Sequence, residues 1–221
     1  MLSREEARAF YDRFGAKQDA QAFYEDRAVT DLVAHAGFAG AQAVYEFGCG
    51  TGRFAETLLM RHLAPTARYV GCDVSTTMVG LARQRLARFG ERAEVRLTDG
   101  APRVAAADAT FDRFVSNYVL DLLSVADIED VIGEAHRTLT PNGRLCLVSL
   151  TNGQTIASKV VTAIWTRVHR LRPSLVGGCR PVELQQFLRD ALWRVEHRNT
   201  VVAFGIASEI VEAGKRPGGG S

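Results

Sequence analysis

The chain has 221 residues, 47% of them hydrophobic and 24% charged, which suits one soluble α/β domain with a modest appendage. Its net charge of +2, with arginines interleaved among acids, gives no ground for a nucleic-acid partner. Cys49, Cys72, Cys146 and Cys179 form no CxxC pair, and Met1–Glu6 lack the basic start and apolar run of a signal peptide. No metal site is expected, and reduced thiols in a cytoplasmic protein are.

Residues 3–36 read as helices, broken at Gly15, with Phe10, Tyr11, Phe14, Phe23, Tyr24, Leu32 and Val33 recurring at helical spacings. Phe10, Phe14 and Phe23 are expected to dock these helices on the body of the protein. Next, Val44-Tyr45-Glu46-Phe47 is a short apolar run ending at Gly48-Cys49-Gly50-Thr51-Gly52, followed at once by an amphipathic segment with Phe54, Leu58 and Leu59 on its inner face. That pattern predicts strand, tight turn and helix, with glycines where the backbone must turn at positive φ or approach a ligand. A dinucleotide fingerprint would need glycine at position 53, where the chain has arginine, and Glu46 would repel a pyrophosphate. A ligand with cationic groups suits Glu46 better.

Glu46-Phe47-Gly48-Cys49-Gly50-Thr51-Gly52 resembles the E/D-x-G-x-G-x-G motif of class I S-adenosylmethionine-dependent methyltransferases, most closely the small-molecule, ubiquinone/menaquinone-type group. The resemblance implies a Rossmann-like α/β fold: a seven-stranded, mostly parallel sheet with the last strand antiparallel, helices on both faces and an N-terminal helical lid. The implied cofactor is S-adenosyl-L-methionine, leaving as S-adenosyl-L-homocysteine. Its expected binding set is Glu46, Gly48, Cys49, Gly50, Gly52, Asp73, Val74, Met78, Asp99, Gly100, Ser116 and Asn117. In relatives an aromatic N-terminal segment folds over the cofactor, which would make Tyr11 and Tyr24 lid residues; plain docking of the helices is the alternative.

Ala67–Asp73 predicts a second strand, and Asp73 lies 21 residues past Gly52, where a carboxylate can accept both ribose hydroxyls. Asp73 could instead cap the following helix, but Ser75 is read as that cap. The helix from Ser75 to Phe89 buries Met78, Leu81, Ala82, Leu86 and Phe89. Ala93–Gly100 is the third strand, and the resemblance gives Asp99 the adenine amino group. Phe111–Tyr118 is the fourth, with Asp112 at its start. Its exit faces the transferable methyl in the family, so Ser116, Asn117 and Tyr118 should line the reaction centre. Asp121 either orients an acceptor or accepts its proton, or caps the next helix.

A helix over 127–139 contains a structural His136 and ends in a turn at Thr140-Pro141-Asn142-Gly143, before a fifth strand over 144–150. Ile156, Val160, Ala163, Ile164, Val168 and Leu171 form an apolar stripe with Trp165 beside it. That stripe predicts an acceptor pocket, a peripheral membrane contact through 156–171, or core or dimer packing. His169 is a further candidate base. Residues 181–192 read as a last helix, and 193–200 and 201–210 as two closing strands. The expected organisation is one domain: a cap over 1–38, a cofactor core over 40–150, an acceptor-side insertion over 151–180, a closing helix and strands over 181–212, and a flexible tail over 213–221. The expected activity is methyl transfer to a small apolar or aromatic acceptor, quinone- or phenol-like, by a monomer or homodimer. A phospholipid amine, a small thiol or metalloid, a non-catalytic scaffold, and NAD-dependent reduction are the rivals.

Overall fold

A computed structural model describes residues 3–153 and 179–216. Seven strands form one sheet: β1 (Ala43–Phe47), β2 (Arg68–Asp73), β3 (Ala93–Leu97), β4 (Phe111–Asn117), β5 (Leu139–Leu150), β6 (Trp193–Ala203) and β7 (Ile206–Lys215). Their order is β3-β2-β1-β4-β5-β7-β6. The first five run parallel, and β7 is antiparallel to both β5 and β6. The expected architecture is therefore present. Strand order reverses between β1 and β4, and such a switch point opens a crevice at the carboxyl ends of the strands.

Side-chain alternation divides the core into two layers. Val44 and Val115 point to one face and Tyr45, Phe47 and Phe114 to the other. The first face is covered by α2 (Ala22–His35), α3 (Arg53–Arg61) and α4 (Thr76–Leu86), through Leu32, Leu58, Ala82 and Leu86. The second is covered by α5 (Val125–Thr138), through Ile128, Val131 and Ala135. Side chains such as Leu32 and Ile128 are wholly buried, so truncating either to Ala would cost about 2–5 kcal/mol. Among the described residues no helix is long and apolar enough to cross a membrane.

Several expected boundaries move, each for a packing reason. The N-terminal cap is two different things. The helix α1 (Arg4–Phe14) has no buried residue, whereas α2 sits in the main core. A 3₁₀ segment, Gly15–Gln21, joins them. Phe23 does not dock on the sheet; it is 55% exposed and packs edge-on against Phe204. The segment 139–143 is not a turn but the start of β5. Leu139 pairs with Phe111 ahead of a bulge, and Lys215 Nζ donates to the Leu139 carbonyl.

No α-helix forms over 181–192, where only a 3₁₀ turn, Leu184–Phe187, is present. The amides that would begin a helix are taken by the sheet: Val182 N donates to Leu150 O, and Leu184 N to the buried Glu209 carboxylate. The closing hairpin turns at Phe204–Gly205 rather than at 200–201, and β7 continues through Lys215, so residues 213–215 belong to the sheet. His136 packs edge-on against buried Trp193, the structural role expected of it. The apolar stripe over 156–171, Trp165 and His169 lie outside the described residues.

Candidate active site

The turn after β1 is fixed by its own hydrogen bonds. Gly48 N and Cys49 N both donate to Cys72 O, Gly50 N donates to Asp73 Oδ2, and Gly52 N donates to Cys49 O. These are the amides that would cradle a phosphate, and protein acceptors already hold them. The reading from Glu46 and Arg53 against a dinucleotide thus gains a geometric reason.

All three glycines have positive φ, and each meets a different neighbour. A Cβ on Gly48 would lie 2.3 Å from Val119 Cγ2, and one on Gly50 would lie 2.8 Å from Gln18 Oε1. A Cβ on Gly52 would lie 3.1 Å from Ala82, so Gly52 serves the contact of α3 with α4 and does not line the crevice.

Two cavities, of about 290 Å³ and about 350 Å³, open on either side of this turn and share Gln18, Gly48, Gly50, Asn117 and Tyr118. They form one crevice running over the glycines. The first is walled by Asp73, Val74, Thr98, Gly100, Leu122 and Leu123. The second holds Glu46, Cys49 and the acid-rich edge of the lid, Asp19, Glu25 and Asp26, with Arg53. One end therefore offers a carboxylate beside apolar walls, and the other gathers negative charge.

Asp73 accepts Gly50 N at 3.0 Å through Oδ2 and Ser75 N at 2.9 Å through Oδ1. Burial raises its pKa, while these amides and that of Val74 oppose the rise. Each oxygen keeps a second lone pair for a ligand in the crevice. Ser75, as expected, caps α4 by accepting Met78 N.

Glu46 is 2% exposed, and its Oε2 accepts the Tyr69 hydroxyl at 2.5 Å. Burial pushes its pKa up to about 7 against that bond. Asn117 approaches Glu46 but completes no hydrogen bond of ordinary geometry, so among the described residues both its amide atoms are buried without partners; Gln18 Oε1 is in the same condition. Unpaired buried polar atoms at a crevice wall are costly unless a ligand satisfies them.

Tyr118 leaves β4 at φ +56°, a conformation that disfavours a bulky side chain, and its hydroxyl donates to Ser208 Oγ at 2.9 Å. Tyr24 packs edge-on against it at 5.8 Å. Behind them Asp121 is wholly buried, neither carboxylate oxygen has a hydrogen bond of ordinary geometry among the described residues, and burial pushes its pKa up to about 7. Asp121 does not cap the next helix, because Ser124 does. Its charge contributes to raising the pKa values of Tyr11, Tyr24, Tyr118 and Cys179, although burial is the main cause in each. The structure thus brings Tyr11, Tyr24, Tyr118 and Asp121 together from three distant parts of the chain.

Other expected residues fall elsewhere. Asp99 is exposed and turns back to accept Ala101 N, leaving Thr98 and Gly100 to line the cavity. Met78 is fully buried on the inner face of α4, and Ser116 is buried with its hydroxyl donating to Phe47 O; neither lines the crevice. Asp112 fixes the start of β4 by accepting Gln42 N and Ala43 N. Gln18, Glu25 and Arg53 were not anticipated as crevice residues. Gln18 sits in an irregular 3₁₀ segment with no periodicity to reveal it, and Glu25 reads as one more surface acid of a helix.

Residues 45–145 match the family model described as a methyltransferase domain. Over this core the chain is similar to the class I S-adenosylmethionine-dependent methyltransferases. It is 34% identical over 109 residues to the ubiquinone/menaquinone biosynthesis C-methyltransferase UbiE of Paracoccus denitrificans, covering 48% of this chain and 42% of that protein. It is 32% identical over 144 residues to the trans-aconitate 2-methyltransferase of Variovorax paradoxus, covering 64% and 52%. The chain thus spans about half the length of these curated relatives. The structure of the N-methyltransferase NodS from Bradyrhizobium japonicum, in complex with S-adenosyl-L-homocysteine, shares the fold, with TM-score 0.65 and 20% identity over 87% of each chain. With this methyltransferase-like fold, the molecule has its crevice at the switch point between β1 and β4, where the Asn117 and Gln18 side-chain atoms, unpaired among the described residues, and the bare backbone of Gly48 and Gly50 line the space a cofactor would take.

Proposed function

We propose that the protein transfers a methyl group from S-adenosylmethionine to a small apolar or aromatic acceptor of the phenol or quinone type. The observation that carries the reading is the buried Asn117 amide, unpaired among the described residues, which lines both the cavity that holds Asp73 and the one that holds Glu46, over a turn whose amides are already engaged. Such a crevice favours a ligand with hydroxyls at one end and positive charge at the other. Asp73 would hold the ribose; Glu46, Asn117 and Gln18 would hold the amino acid end; Val74, Leu122 and Leu123 would wall the base. When bound, the cofactor supplies an electrophilic methyl and a neutral thioether leaving group.

The chain's own contribution is to align the acceptor, exclude water and take a proton. Tyr11, Tyr24 and Tyr118 have raised pKa values, so at neutral pH they are hydroxyl donors or relays, not bases. Asp121, at about 7, titrates where a base is useful and sits among them. It would receive the proton of a phenolic or enolic hydroxyl through a lid tyrosine. The two curated relatives act on different acceptors, which leaves the choice to these lid and β4-exit residues.

Calorimetric titration with S-adenosylmethionine, S-adenosylhomocysteine and NAD tests the cofactor. Micromolar binding of the first two and none of NAD is expected, and binding of NAD alone would overturn the reading. A screen of phenols, quinones, amines and thiols with mass detection of a 14 Da gain then tests the acceptor class.

A further inference from the structure

At the C-terminal end of α2, three side chains with metal-ligating chemistry converge. Asp31 and His35 are one helical turn apart on one face of α2, and His197 faces them from the edge strand β6. His197 Nε2 lies 3.0 Å from Asp31 Oδ2, and His35 Nδ1 lies 3.4 Å from Asp31 Oδ1. The two imidazoles stack at 3.6 Å and 6°. One ligand atom from each residue falls within 4.8 Å of the other two.

The surroundings also suit a cation site. His35 Nδ1 is 2.8 Å from the Asp31 carbonyl oxygen, which can only accept. The hydrogen therefore sits on Nδ1, which the protein holds, so His35 would ligate through Nε2, across Cε1 from the Nδ1 that faces Asp31 Oδ1. Asn199 Nδ2 donates to Asp31 Oδ2 at 3.2 Å and steadies that carboxylate. The site is open to solvent, since the His35 side chain is 45% exposed.

We propose that Asp31, His35 and His197 form a three-ligand site for a borderline divalent cation of the zinc class, with water at the fourth position. Two imidazoles and one carboxylate suit that class in ligand type and number. Tetrahedral ligands at about 2.0–2.1 Å from zinc stand about 3.4 Å apart. Binding therefore requires the three atoms to draw in and the stacked rings to tilt, which an exposed His35 can do. Partial preorganisation of this kind gives micromolar rather than tighter affinity. The cation would join β6 to α2, the helix whose Glu25, Asp26, Val29 and Val33 line the second cavity.

The test uses the full, tag-free chain stripped with a chelator and titrated calorimetrically with zinc alone. One zinc per chain at micromolar affinity is expected, with a loss of at least about tenfold in His35→Ala and in His197→Ala. Cobalt(II) should give visible d–d absorption without a thiolate charge-transfer band, which separates this site from the four cysteines. His35→Ala removes an exposed side chain and carries the test even if His197→Ala folds poorly, with melting of both variants in chelator as the control. Absence of saturable binding, affinity unchanged in His35→Ala, or a thiolate band would each overturn the proposal and leave the three residues as a hydrogen-bonded tie between α2 and β6.

Discussion

The glycine turn and the N-terminal helix α1 face each other across one crevice and are held by opposite kinds of force. The turn follows a strand whose last four residues are buried, its amides are engaged by Cys72, Asp73 and Cys49, and its first glycine has no room for a methyl group. No residue of the helix is fully buried, and Tyr11 is half-buried against the cavity. It is tied down by polar contacts: Arg4 to Asp127 at 2.7 Å, Arg8 to Thr76 at 3.2 Å, and Asp12 to Ser75 Oγ and Thr77 N at 2.6 and 3.1 Å. Exposed pairs of this sort contribute only about 0–1 kcal/mol each. One wall is preorganised and the other can release and re-form, as a site that must admit and shed a large cofactor requires.

The sharpest way to break this contrast is Gly48→Ala, which adds a methyl 2.3 Å from Val119 Cγ2 at φ +78°. Crowding and left-handed strain together cost about 2–5 kcal/mol. Calorimetry should show cofactor affinity lower by about a hundredfold or more, and adding Val119→Ala should recover part of it, because space is restored but φ is not. Asp73→Asn should weaken binding by about tenfold or more. It should also lower the melting midpoint, since an amide group cannot accept both Gly50 N and Ser75 N with the same geometry. Affinity unchanged by this substitution would mean that the ribose is held elsewhere.

Asp121→Asn probes the buried acid behind the tyrosines. Its folded pKa of about 7 exceeds an unfolded value near 3.9, so the native state binds the extra proton and Asp121 lowers stability as pH rises from about 4 to about 7. Asp121→Asn should therefore melt higher than the parent at pH 8, by on the order of 4 kcal/mol in stability, with the difference vanishing near pH 4. In turnover, the parent's rate should rise through pH 7, and the variant should lose that limb. A retained limb would assign the proton to another group. The smallest effect belongs to the lid. Asp12→Ala should speed cofactor release a few-fold in stopped-flow while leaving the melting midpoint nearly unchanged; a large fall in the midpoint would show that α1 is structural after all.

The expected strands through β4 and the glycine turn are the elements best read from the chain, because strand period, turn glycines and the cap at Ser75 are local properties of neighbouring residues. The errors share a cause. Residues 181–192 have a helical composition, yet Val182 and Leu184 give their amides to Leu150 and Glu209, partners 32 and 25 positions away in the chain. Phe23 looks like a docking aromatic, yet α2 turns Ala28 and Leu32 inward instead. Asp99 ends its strand in the expected place, yet a local bond to Ala101 N turns its carboxylate outward.

By itself the sequence determined the class of fold, the position of the turn and the acids at the ends of β1 and β2, since each is encoded by residues within a few positions of one another. Only the tertiary structure decided that the turn's amides are already held, that Gln18 covers Gly50, and that Asp121 is buried among Tyr11, Tyr24 and Tyr118. Tyr11 and Asp121 are 110 residues apart in the chain, and a carboxyl acquires its proton affinity from what surrounds it in space, which no local pattern records.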